Sequence, residues 1–279
     1  MSTLAPVRNV LKAWLVLAGL CGILALIGYG IGDVRVLSSF VFCGVLLGIA
    51  AYMSLDRLVL GMLRARELPT REAPDLHAMV EQLALRAGIA KPRLYVIRKG
   101  PPLALATGRG AHSSAIAVTE ALALLPVRAE VEAVLAHEVA HIVRRDALVQ
   151  TIAVVIAAML VELSRIGGYL ERALLFVLGP VASAFVHLLL SAKREFEADA
   201  AAAGFCDSPH GLADALIRLE QAAELLEFEA STATEPLYTI NPFLEEGVAA
   251  LFVTHPPVAE RVQRLRALDP DWRDKLRAA

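Results

Sequence analysis

The chain has 279 residues, 57% hydrophobic and 20% charged, with a net charge of −2. The apolar excess over an ordinary soluble domain is concentrated in a few runs, which points to a membrane protein of one or two domains with ample chain for a buried core. No basic block or aromatic-interleaved Lys/Arg stretch is present, which excludes nucleic acid as a partner, and the three cysteines, Cys21, Cys43 and Cys206, form no CxxC or disulfide framework, as in a reducing compartment.

Arg8 and Lys12 precede an apolar run over Ala13–Gly32, and a second follows over Val36–Leu55. Each is close to the ~20 residues a helix needs to cross a bilayer. The first is too long for a signal-peptide core and is followed at once by the second, so the pair predicts an uncleaved membrane hairpin. The turn holds only Asp33 and Arg35, whereas Arg57, Arg64, Arg66 and Arg71 come after the second run. Lys/Arg excess marks the cytoplasmic side, so both outer ends are expected there.

Pro69–Pro74 reads as a linker, and Asp75–Gly88 as an amphipathic helix with Gly88 as its C-cap. Strands are expected at Arg93–Ile97, Leu103–Ala106 and Ala115–Val118, the last two joined by a turn at Gly108-Arg109-Gly110, giving a small three-stranded sheet. Thr119-Glu120 starts a short helix to Leu125. A helix over Arg128–Arg145 comes next, then apolar runs over Leu148–Val161 and Ala173–Leu190. The first of these is only about 21 Å long as a helix, and the second contains Pro180, Ser183 and His187. They read as a second membrane hairpin, the alternative being a buried soluble helical pair. Further helices are expected over Lys193–Gly204, Gly211–Glu229 and Val258–Leu268, with Ser231–Val253 loop-rich and a candidate lid. The domains are then residues 1–56 as an N-terminal hairpin, 57–147 and 192–279 as two parts of one catalytic domain, and 148–191 as the second hairpin.

The chemistry lies in His137-Glu138-Val139-Ala140-His141. On a helix, i and i+4 share a face, so both imidazoles point at one spot, as two metal ligands must. Glu138 can take a proton from a metal-bound water attacking a carbonyl, zinc lowering that water's pKa toward ~7. The bland alternative is a polar helix face with two solvated histidines. A catalytic zinc takes three protein ligands. With no cysteine nearby, the third is His, Asp or Glu. The best candidate is Glu195 in Arg194-Glu195-Phe196-Glu197-Ala198-Asp199, with Asp199 one turn on as acceptor for a ligand histidine N–H; Glu197 faces elsewhere. Two apolar helices separate His141 from Glu195, and an even number of crossings returns the chain to the face it left.

HEVAH, an apolar hairpin, Lys193-Arg194-Glu195-Phe196-Glu197-Ala198-Asp199 and then Thr254-His255-Pro256-Pro257 with Arg261 resemble the HtpX/Ste24 family of membrane zinc metalloproteases (M48-type), the bacterial HtpX branch most in length and N-terminal spans. Arg86-Ala87-Gly88-Ile89 and Ala106-Thr107-Gly108 fit as well. The resemblance implies a mainly α membrane protein with up to four transmembrane helices and a gluzincin-like α+β protease domain carrying a small sheet. It implies one Zn²⁺ per chain on His137, His141 and Glu195, Glu138 as base, Asp199 behind a histidine, and catalytic roles for His255 and Arg261, His255 as a donor to the oxyanion. It further implies polypeptide substrates, membrane or misfolded proteins, cut at the cytoplasmic face of the inner membrane, with the lipid bilayer as the other partner. The sequence departs from the family at Leu103-Ala104-Leu105-Ala106, where an Asn-Ala-Phe-Ala-like run is usual; this strand is expected to line the cleft and pair with substrate backbone.

Other polar residues are expected to be structural: His187 packed or interfacial; His77, His112 and His210 on the surface; Glu162, Arg165, Glu171 and Arg172 in the wet turn of the second hairpin; Arg144, Arg145 and Asp146 anchoring a helix at the interface. An intramembrane-cutting protease is disfavoured because no Asp-Gly motif is present and charges flank HEVAH. The alternative from another class is a non-catalytic membrane adaptor or chaperone that keeps the fold.

Overall fold

The computed structural model describes residues 4–165, 170–206, 209–225, 232–243 and 252–269. Helices α1 (Leu4–Ile31) and α2 (Val34–Met62) form an antiparallel hairpin. Each backbone polar group in such a helix is satisfied internally, as hydrocarbon requires. At about 1.5 Å per residue each exceeds the ~30 Å bilayer core. Their apolar side chains, Leu15, Leu26, Phe42 and Leu47 among them, face outward. The turn is tight because Asp33 caps α2, accepting from the backbone N–H of Arg35 and Val36.

The sheet has four strands where the sequence pattern suggests three. It is ordered β1 (Arg66–Glu67), β2 (Arg93–Ile97), β4 (Ser113–Thr119), β3 (Ala104–Gly110), with β2–β4 parallel and the other pairs antiparallel. Two charged residues carry no alternation, so β1 is invisible to periodicity. The β3–β4 turn needs glycine: Gly108 has φ +126°, and a Cβ there would lie 2.3 Å from the Ser113 carbonyl oxygen.

Helices α3 (Pro74–Ala87) and α5 (Arg128–Val143) match the expected spans, with the single turn of α4 (Glu120–Ala123) between them, capped by Thr119. Helix α5 is central, packed against β3, α3, α8 (Lys193–Phe205) and α9 (His210–Leu225), while α10 (Val258–Ala267) closes over α8 and α9. Helix α6 (Asp146–Arg165) is mostly buried among α1, β3, α7 (Glu171–Leu189) and a 3₁₀ segment, Thr232–Leu237. Helices α1, α2 and α6 are long and apolar enough to cross a membrane; α7 and α8, bent by 47° at their break, make a fourth if counted as one span. The chain is thus a mainly helical membrane protein with a small mixed sheet.

Several surface expectations are overturned. His77 is buried, its Nε2 2.8 Å from the Leu68 carbonyl oxygen, because the chain after β1 folds over α3. His210 is buried beside Arg266, its Nδ1 3.0 Å from the Arg266 guanidinium, as α10 packs on α9. Arg144 and Asp146 are also buried, not interfacial anchors. Arg145 adopts the left-handed region, φ 58°, and turns the chain so sharply between α5 and α6 that Asp146 folds back onto α5. His112 is exposed as expected, whereas the side chains of Arg165 and Arg172, and part of the Ser231–Val253 stretch, lie outside the described residues.

Candidate metal centre

Helix α5 is buried through most of residues 130–142, so His137 and His141 are not a solvated stripe. Their Nε2 atoms lie 3.1 Å apart. From α8, Glu195 brings Oε2 to 3.4 Å from His137 Nε2 and Oε1 to 3.7 Å from His141 Nε2. A tetrahedral ion with bonds of about 2.0–2.1 Å holds its ligand atoms about 3.3 Å apart. The Nε2 pair and the His137–Glu195 Oε2 pair lie close to that value, the His141 contact being to the other carboxylate oxygen.

The other ring nitrogens sharpen the fit. Asp199 Oδ1 lies 3.0 Å from His137 Nδ1, and Asp146 Oδ2 lies 3.4 Å from His141 Nδ1. A carboxylate at Nδ1 draws the proton there and leaves the lone pair on Nε2. The two Nε2 atoms then face one another at 3.1 Å and are the atoms a cation between them would take. Glu195 Oε2 is likewise buried with no protein hydrogen-bond partner. The donor set, two imidazoles and a carboxylate, is the one zinc takes in hydrolytic sites.

Both supporting carboxylates are themselves held. Arg261 on α10, fully buried, donates from Nε (2.8 Å) and Nη2 (2.7 Å) to the two Asp199 oxygens, a bidentate fork, and from Nη1 to the Thr239 carbonyl. Asp146 accepts from Asn9 on α1 (2.6 Å) and from Arg144 (2.9 Å), while Arg144 also pairs with Glu197. Arg194 donates to Glu195 Oε1 at 2.9 Å.

Without metal, burial opposes charging of His141, but Glu195 and Asp146 outweigh it and push the imidazole up to about 9. Burial also opposes ionisation of Glu195, yet His255, His141 and Arg194 hold it well below the usual carboxylate range. For Asp199 burial is outweighed by the Arg261 guanidinium, and the carboxyl falls to about 2. The carboxylates are therefore ionised and ready to ligate or to orient.

Glu138 is buried beside the histidines. Its Oε1 accepts from the Thr239 hydroxyl at 2.9 Å, and its Oε2 has no protein partner. The His255 side chain is buried, Nδ1 3.4 Å from Glu195 Oε2 and Nε2 3.9 Å from Glu235 Oε1. Burial pushes the Glu235 carboxyl up, against Thr254, whose N–H and hydroxyl donate to it at 3.2 and 3.0 Å.

All seven residues singled out in the sequence thus converge; Arg261 holds Asp199 and brings Nη2 within 3.5 Å of His137 Nε2 and 3.9 Å of Glu195 Oε2. Asp146, Thr239, Glu235 and the orienting role of Arg194 are not legible in the sequence. Asp146 is five residues past His141, beyond the helix end, and only the Arg145 turn brings it back. Thr239 and Glu235 lie in an aperiodic stretch.

The family model for Peptidase family M48 matches residues 70–269. A "Protease HtpX homolog" of Pelotomaculum thermopropionicum is 38% identical over 278 residues, covering 93% of this chain and 99% of that protein. Another from Pyrococcus furiosus is 36% identical over 274 residues, covering 92% and 95%. Among solved structures, Ste24p of S. mikatae aligns over 93% of this chain and 64% of that chain, with a TM-score of 0.48 and 22% identity.

Proposed function

The chain belongs to peptidase family M48, and on that premise we propose that this membrane peptidase is a zinc-dependent endopeptidase with Glu138 as general base. The observation that carries the reading is the convergence of His137, His141 and Glu195 in one buried group, with a carboxylate behind each imidazole. Zinc bound there supplies a water of pKa near ~7 and polarises the scissile carbonyl.

The protein's own residues do the rest. Glu138 Oε2 accepts the proton of the attacking water and returns it to the leaving amine nitrogen. His255 donates an imidazole N–H toward the carbonyl oxygen as negative charge builds there. Asp199 and Asp146 keep the Nδ1 protons in place, and Arg261 keeps Asp199 ionised and aligned.

The substrate lies along β3, whose edge is the outer one of the sheet. That edge is occupied: Tyr238 forms a β-bridge with Leu105, and Thr239 covers Glu138. The stretch over residues 232–243 is therefore a lid that must leave before substrate backbone pairs with residues 104–107. Leu103, in place of the usual Asn, is buried and leaves this pairing to the main chain.

Basic residues at Arg8, Lys12, Arg57 and Arg64 support a site at the cytoplasmic face of the cell membrane. Its closeness to two apolar hairpins suits membrane and misfolded proteins as substrates. Metal analysis of purified Glu195→Ala tests the ligand set. The expected result is loss of the stoichiometric zinc found in the wild type, and full retention contradicts the assignment.

A further inference from the structure

A second cluster of charge lies outside the metal centre, where the first turns of α1, the start of α6 and the α7–α8 break meet. Arg8, Lys12 and Arg194 line one recess there. Lys12 donates to the Leu189 carbonyl at 2.8 Å, which uses one of its three N–H groups. Arg194 is buried, and its Nε and Nη2 are engaged by Glu195 and Pro236, but Nη1 is buried without a hydrogen-bond partner. Arg8 is exposed at the mouth. The acid in the recess, Asp146, is already committed to Asn9, Arg144 and His141. Three cations thus converge with no free anion among the described residues, and a buried guanidinium N–H left unsatisfied is costly.

The position of the recess along α1 says what kind of anion meets it. Trp14, exposed, stacks on Tyr52 with ring centroids 5.7 Å apart, and the Arg109 guanidinium lies 5.6 Å over the Tyr52 ring. Aromatic rings with a cation beside them mark the membrane–water boundary. On α1, Lys12 and Arg8 lie about 3 and 9 Å outward from Trp14 along the axis. That is the level of lipid headgroups just outside the aromatic boundary, where Leu4, Val7 and Leu11 of α1 are exposed beside the two cations.

We propose that Arg8, Lys12 and Arg194 form a binding site for the phosphate of an anionic phospholipid, docking the active-site face of the protein on its own leaflet. Arg194 joins the two sites, since the side chain that lines the recess also holds Glu195 through Nε.

The test is native mass spectrometry of the full chain in detergent, titrated with dioleoylphosphatidylglycerol, with dioleoylphosphatidylcholine, or with inorganic phosphate as competitor. The wild type should retain one phosphatidylglycerol per chain and discriminate against phosphatidylcholine. Arg8→Gln and Lys12→Gln should each weaken retention about fivefold, and together about 25-fold, while Arg8→Lys keeps it. Arg8 is exposed, so its variant leaves the fold intact and reads the charge alone. Equal binding of both lipids, or unchanged retention in the Arg8→Gln and Lys12→Gln variants, overturns the proposal. Displacement of the lipid by equimolar inorganic phosphate overturns the lipid assignment in favour of a free anion site.

Discussion

The geometry of the proposed metal centre is decided less by the candidate ligands than by the groups standing behind them. An imidazole can present either nitrogen, and only a fixed acceptor at Nδ1 makes His137 and His141 both present Nε2 to one point. Asp199 does this for His137 and is held in turn by the Arg261 fork. Asp199→Asn keeps the shape but replaces one acceptor oxygen with a donor and weakens the Arg261 pair. Zinc affinity is expected to fall about 10–100-fold by competition with a chelator; unchanged affinity contradicts the role. At this scale the residues legible in the sequence are those that obey the helical period. His137 with His141, and Glu195 with Asp199, are i, i+4 pairs. Asp146 obeys no period, because it depends on one residue in the left-handed region, Arg145.

Elements place these residues, and two of them carry predictions. The β3–β4 hairpin closes through Gly108, whose conformation an L side chain rarely adopts and whose missing Cβ leaves room for the Ser113 carbonyl. Gly108→Ala should lower stability by about 1–3 kcal/mol, read as a lower unfolding midpoint in detergent; an unchanged midpoint contradicts the reading. The stretch over residues 232–243 is the other. Thr239→Ala removes the hydroxyl that Glu138 accepts, a bond of about 0.5–1.5 kcal/mol. If the stretch is a lid, the open form gains about two- to tenfold and limited proteolysis cuts there faster; identical nicking in wild type and variant removes the case for a lid. Long apolar runs and the amphipathic α3 announce these elements in sequence. The two-residue β1 and the 3₁₀ segment do not, because neither is long enough to show a period and both depend on the elements they pack against.

For the whole molecule, the apolar hairpins make the site possible as well as anchoring it. Helices α6 and α7 lead away from α5 and back to α8, so Glu195 arrives beside the histidines. Helix α6 is not a plain lipid-facing span, since most of its surface is covered by α1, α7, β3 and the 3₁₀ segment. The run over residues 148–161 shows its apolarity in sequence but not the partners that cover it. Asn9, in the first helix, reaches Asp146 and so ties the N-terminal hairpin to the metal centre. Hence the intact, membrane-embedded chain is the right object for the decisive measurement. Zinc content and cleavage of an unfolded model polypeptide are to be measured side by side on reconstituted wild type and Glu138→Gln. One zinc per chain is expected in both, with the variant's cleavage rate down at least about 10²-fold. Cleavage at the wild-type rate by a zinc-loaded Glu138→Gln protein would contradict the assignment of Glu138 as the base.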